Sequence, residues 1–211
     1  MEIDIYADVV CPWCWIGRRR LETALASYDG TVSVRHRPFQ LDPSPVPQSR
    51  PLLDAMADRF GGRDRARQMF ARVAEVGAEV GLTLDFDRAV AANTFDAHRL
   101  IRWATGRGRA TETVDALYRA YFAEGVDVGS REALAAVAAG VGLDSTQARR
   151  HLDSDADVAE LRGELVEARK VGITSVPTFV LAGKYAVTGA QESETLLAAL
   201  SEVDRRESAV G

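Results

Sequence analysis

The chain has 211 residues, 46% of them hydrophobic and 27% charged, with a formal net charge of −5. That balance is ordinary for a globular protein in water and carries no basic footprint for a nucleic-acid partner. No apolar run approaches the about 20 residues that cross a bilayer, and Met1 leads directly into a strand-like segment, so no membrane contact and a cytoplasmic location are expected.

In chain order, residues 2–7 alternate with the period of a strand, and 14–28 place Ile16, Leu21 and Leu25 on one side of a helix that stops near Gly30. Residues 31–39 alternate again, so strand, helix and strand predict a right-handed parallel βαβ unit. Pro43, Pro45, Pro47 and Pro51 exclude a helix interior or a central strand and predict a stiff connection leaving the sheet. From Leu52 to Val171 the period is helical. Helices are expected over 52–60, 63–80, 93–105, 111–124, 130–141, 145–152 and 155–171, with an extended link at 82–86 and Asn93 as an N-cap. Strand patterns return at 177–181 and 185–187 around a tight turn at Ala182-Gly183, and 191–203 is a last amphipathic helix. This order predicts an α/β fold in which a small mixed sheet is interrupted by a large all-helical insertion. The sheet-bearing part is expected over 1–45 and 172–211, and the insertion over 46–171. Neither half of the sheet has strands enough to stand alone.

Cys11 and Cys14 are the two cysteines of the chain and sit where the first strand passes into the first helix. The unpaired N–H groups and partial positive charge of a helix N-terminus stabilise a thiolate there. Free cysteine titrates near ~8.5, and C-x-x-C sites lower this to between ~3.5 and ~7. The pattern predicts a dithiol redox site. Cys11 would be the exposed nucleophile, and Cys14 the more buried thiol that resolves a mixed disulfide. Two blander readings compete. Half a zinc site would need two more ligands, and His36, His98 and His151 form no H-x3–5-H pair, so no metal is expected. A structural disulfide is out of place in a reducing cytosol. Trp15 is expected to pack inside and Trp13 to lie at the surface near the thiols. Thr94 and His98 share a helix face just after Asn93. They could line a substrate pocket, or be an ordinary cap and interface histidine. Asp4 and Asp8 are both candidates for an acid beside Cys14, and the pattern does not choose between them.

Several stretches narrow the family. They are Asp8-Val9-Val10-Cys11-Pro12-Trp13-Cys14-Trp15-Ile16-Gly17, Arg37-Pro38-Phe39-Gln40-Leu41, Asn93-Thr94 with Ala97-His98-Arg99-Leu100, Gly172-Ile173-Thr174-Ser175-Val176-Pro177-Thr178-Phe179, and Gly189-Ala190-Gln191. Together they resemble the cytoplasmic FrnE-like branch of the DsbA family, from Ile3 to about Val203. The resemblance implies a thioredoxin-like fold with a DsbA-like helical insertion. It implies a cis peptide at Val176-Pro177 facing the dithiol, where the backbone, with Pro12 and Trp13, would receive an extended substrate. It also implies that the helix bearing Asn93, Thr94 and His98 faces the site across a cleft. The family includes 2-hydroxychromene-2-carboxylate isomerases and kappa-class glutathione transferases, which carry a serine where this chain has Cys11. Some FrnE-like proteins have a second cysteine pair. This chain has none, so a relay between two dithiols in one chain is ruled out.

The expected function is therefore thiol:disulfide oxidoreductase, with no bound cofactor beyond the Cys11/Cys14 disulfide itself, acting on a protein or small-molecule thiol or disulfide. The alternative is an isomerase or transferase that uses glutathione or a similar low-molecular-weight thiol as cosubstrate. Its substrate would be a small aromatic or polyketide-like molecule, a setting in which FrnE-like proteins occur. Such an enzyme has no use for a resolving thiol, which favours the first reading. A homodimer is compatible with either.

Overall fold

Alternation in the first segment turns Ile3 and Ile5 to one side of a strand and Asp4 and Tyr6 to the other, and this division organises the fold. In the computed structural model, which describes residues 1–46 and 48–209, the elements are β1 (Glu2–Ala7), α1 (Pro12–Ala26), β2 (Ser33–Pro38), α2 (Leu52–Phe60), α3 (Arg63–Glu79), α4 (Phe95–Thr105), α5 (Ala110–Phe122), α6 (Arg131–Gly140), α7 (Ser145–Asp153), α8 (Val158–Lys170), β3 (Thr178–Leu181), β4 (Tyr185–Thr188) and α9 (Ser193–Ser208). Pro47 of the proline-rich connection, and Val210 and Gly211 at the end of the 172–211 segment, lie outside the described residues. The sheet order is β2-β1-β3-β4, with β1 and β2 parallel and the other neighbours antiparallel. The βαβ unit expected from the sequence is therefore present.

One face of the sheet packs Ile3, Ile5, Phe179 and Leu181 against Leu21 of α1 and Leu196 and Leu200 of α9. On the other face Tyr6, Phe39 and Val180 meet Ala168 of α8 and Ile173. Helix α8, which the sequence reading counted with the insertion, thus covers the sheet. A sheet with two apolar faces needs a layer on each, and helical periodicity does not say what a helix packs on. Helices α2–α7 surround a separate core that runs to Cys11 and Cys14.

Boundaries moved where local chemistry outweighed the pattern. Helix α1 starts at Pro12 rather than residue 14, because a proline at the first position forfeits no hydrogen bond. The N-cap position of α4 falls on Thr94, while the Asn93 side chain accepts the N–H of Phe95 at 3.0 Å from one residue earlier. Helix α9 runs on to Ser208, held by Lys184 Nζ and Tyr185 OH donating to Glu207 at 2.6 and 3.1 Å.

The two cores are joined through α1. Trp15 stacks on Tyr118 and Phe122 of α5, with ring centroids 5.9 Å away in each case. The buried Arg18 donates twice to Asp115 of α5, at 2.6 and 2.9 Å. Trp15→Ala should lower stability by about 3–5 kcal/mol, read from urea unfolding; a loss under about 1 kcal/mol would show that this stack does not hold the helices to the sheet.

Candidate active site

Cys11 is the N-cap of α1, with extended backbone (φ −94°, ψ 110°), and its sulfur accepts the Cys14 N–H at 3.3 Å. Both cysteines are free thiols. Cys11 is 4% exposed and Cys14 1%, so the expectation of an exposed nucleophile is corrected. The reason is long-range: the Val176 carbonyl lies 3.9 Å from the Cys11 sulfur, which donates to it across 165 residues of sequence. The Val176-Pro177 peptide is cis. Pro177 is buried against α1 at Gly17, where an added Cβ would sit 3.0 Å from Pro177 Cγ and 3.3 Å from Ala190. Trp13 stands at the rim, 40% exposed, beside the half-buried Pro12.

Burial pushes the Cys14 thiol well above its usual pKa. The adjacent Cys11 adds to the rise, as does the Asp8 carboxylate, and the Asp8 backbone N–H works against it. Cys14 therefore keeps its proton at neutral pH. The structure also separates the two candidate acids. Asp4 faces away, clamped by both ends of Arg35 at 2.7 Å and by Arg37 at 2.8 Å. Asp8, 1% exposed, is the one of the two whose charge raises the Cys14 pKa. It lies past the end of β1, where alternation no longer assigns a face.

Asp8 is bonded through both oxygens: Oδ2 accepts the Leu41 N–H at 2.8 Å, and Oδ1 lies 3.3 Å from His98 Nε2. That nitrogen also lies 3.0 Å from the Phe39 carbonyl. Facing two acceptors, Nε2 is assigned the proton. Tyr118 donates its O–H to the Asp8 carbonyl at 3.4 Å, and burial raises its pKa so that it stays a phenol.

Thr94 and His98 are buried rather than set on a groove wall facing the thiols. Gln40 Nε2 donates to Asn93 Oδ1 and Thr94 Oγ1, each at 3.3 Å, and Asn93 Nδ2 donates to the carbonyls of Pro43 and Ser44 at 3.2 and 2.9 Å. These side chains brace the 39–44 segment. Pro12 and Trp13 follow Cys11 in the chain, Val176 reaches its sulfur and Pro177 packs on α1, whereas His98 meets Asp8, and Asn93 and Thr94 meet Gln40. Sequence reasoning missed Gln40 and Tyr118. Gln40 directly follows the segment 31–39 expected as a strand, and a polar residue there is a usable signal. Tyr118 offered none. Among the described residues no cluster of three or more His, Cys, Asp or Glu side chains is placed to hold a metal ion. Among them also, no helix is long and apolar enough to cross a membrane.

The family model for a DSBA-like thioredoxin domain matches residues 2–201. The chain belongs to that family. It is similar to the crystal structure of a probable DsbA oxidoreductase from Streptomyces coelicolor, with 36% identity, a TM-score of 0.90, and 96% of this chain and 89% of that one covered. It is 26% identical to the uncharacterized protein YwbO of Bacillus subtilis over 98% of both chains. A 2-hydroxychromene-2-carboxylate isomerase superposes with a TM-score of 0.73 at 16% identity over 100% of both chains, a likeness of fold.

The burial of Cys14 has a direct chemical consequence. Iodoacetamide at pH 7 should add one carbamidomethyl group, located at Cys11 by peptide fragmentation. Modification of Cys14 first would contradict the assignment of roles.

Proposed function

We propose that this DSBA-like protein is a thiol:disulfide oxidoreductase working through the Cys11/Cys14 couple. The observation that carries the reading is the second thiol: Cys14 is buried, its N–H meets the Cys11 sulfur at 3.3 Å, and burial keeps its thiol protonated. Cys11 at the head of α1 gives its proton to solvent and, as the thiolate, attacks a substrate disulfide R–S–S–R′. A Cys11–S–R bond forms, and R′S⁻ leaves with the electron pair and takes a proton from solvent. Cys14 then passes its proton to the Asp8 carboxylate and attacks the Cys11 sulfur. The Cys11–Cys14 bond forms, RS⁻ leaves, the substrate has gained two electrons and the dithiol has lost them. The reverse sequence oxidises a substrate dithiol.

Trp13 and Pro12 on one side and Val176 and Pro177 on the other are the contacts for the substrate segment. Gln40, Asn93, Thr94 and His98 are positioning residues that hold Asp8 and its loop. We take the compartment to be the cytoplasm, where a cysteine pair serves catalysis rather than stability. The partner is a protein or a small thiol or disulfide such as glutathione.

The second reading, a thiol-dependent isomerase or transferase, draws on the fold shared with the isomerase. It leaves Cys14 without a task. A Cys14→Ala variant separates the two. On the redox reading it still forms a mixed disulfide with glutathione disulfide but loses turnover, whereas undiminished turnover of a small aromatic substrate would establish the second reading.

Asp8→Asn should slow the resolving step about 10²-fold or more while sparing the first attack, followed by quenched-flow mass spectrometry of the mixed disulfide. Equal resolution rates in variant and wild type would remove Asp8 from the chemistry.

A further inference from the structure

Helix α8 separates its charges onto two sides. With about 3.6 residues per turn, Glu160, Glu164 and Glu167 fall together, and Arg162, Val166 and Arg169 fall together on the opposite side. On the acidic side Glu164 pairs with Arg102 and lines a half-enclosed cavity of about 540 Å³ at the β2 edge, to which His98 and Tyr118 also contribute. The helix packs on β2 and on α4. Its arginine side is left to solvent: both arginines are exposed, and Val166 between them is 51% exposed.

Neither arginine is neutralised. No carboxylate stands three or four residues away from Arg162 or Arg169 in the helix, and neither has a carboxylate partner among the described residues. Each guanidinium lies over a ring instead, Arg162 at 5.8 Å from the Phe95 centroid and Arg169 at 5.4 Å from that of Phe39. Arg169 Nη2 also donates to the Gln40 carbonyl at 3.3 Å. A guanidinium held this way keeps donors that match a carboxylate. The Arg169 end of the face adjoins the dithiol. Phe39 packs with Val176, whose carbonyl meets the Cys11 sulfur, and the N–H of the exposed Leu41 donates to Asp8.

We propose that the Arg162–Val166–Arg169 face docks an acidic segment of a protein substrate, with two carboxylates on the guanidiniums and an apolar side chain on Val166. Seven residues of helix separate the arginines by about 10 Å along the axis, a span that about three residues of extended chain cover. Two guanidiniums around a valine, on a chain of net charge −5, fall short of the basic cluster that a lipid surface or a nucleic acid needs, and they complement an acidic peptide. That the docked segment offers its disulfide to Cys11 rests on the redox reading; the docking itself is measured apart from it.

The test is fluorescence anisotropy on the full-length protein with a short labelled peptide that lacks cysteine and carries a Glu-Leu-Leu-Glu run, and with the same peptide carrying Gln for Glu. The acidic peptide should bind about tenfold more tightly than the Gln peptide, and less tightly as salt rises. The double variant Arg162→Gln/Arg169→Gln, which changes exposed side chains alone, should lose that tenfold and leave the Gln peptide unaffected. Val166→Asp should weaken both peptides. Equal affinity for the two peptides, or equal affinity of wild type and double variant for the acidic one, would overturn the inference. So would a wild-type dimer in sedimentation, or binding to phosphatidylglycerol vesicles, that the double variant loses, because a second copy or a membrane would then own the face. Docking that persists while the same peptide, made as a disulfide, is not reduced would remove the redox reading alone.

Discussion

A buried carboxylate, bonded through both of its oxygens, sets the terms for this molecule. A carboxylate taken out of water without partners costs several kcal/mol or more, roughly the whole stability of a domain. Asp8 is supplied with the Leu41 N–H from the segment after β2 and with His98 from α4. One side chain of the helical block, His98, therefore completes the surroundings of Asp8. The next residue, Arg99, explains why α4 is held so firmly. It is fully buried and donates to the carbonyls of His151 and Leu152 at the end of α7, each at 2.9 Å, and of Ser154 and Ala156 at 2.6 and 2.8 Å. Together with the Trp15 stack and the Arg18–Asp115 pair, these contacts make the helices and the sheet one framework around Cys14.

Much of this was legible in the sequence where the signal is local. Helix α2 matches its expected span because Pro51 and Gly61 punctuate it, the latter at φ 74° where only glycine is comfortable. The dithiol was legible because strand period, C-x-x-C and helix period meet at one place. What stayed hidden depends on distant partners. The burial of Cys11 depends on Val176, α8 covers a sheet face that is assembled last in the chain, and the choice of Asp8 over Asp4 depends on which way a residue beyond the strand end turns. Helical spacing puts Thr94 and His98 on one face, just after Asn93. Their direction was not legible, because the groups they bond, Gln40 and Asp8, lie more than fifty residues away.

The scaffold presents two different faces. On one side the Val176 carbonyl meets the Cys11 sulfur, with Trp13 exposed nearby in the chain. On the other, the cavity at the β2 edge reaches the back of the same cluster through His98 and Tyr118. Burial holds the Cys14 thiol well above its usual pKa, and His98, which lines that cavity, is the side chain that meets Asp8.

The central claim is that Cys11 and Cys14 interconvert as a couple. Equilibrating the protein against graded ratios of reduced and oxidised glutathione, followed by acid quenching and intact-mass analysis, tests it directly. The account predicts one two-electron transition from dithiol to intramolecular disulfide, with a tenfold change in the equilibrium for each ~30 mV. Persistence of the dithiol across the whole range, or accumulation of glutathione adducts alone, would contradict it.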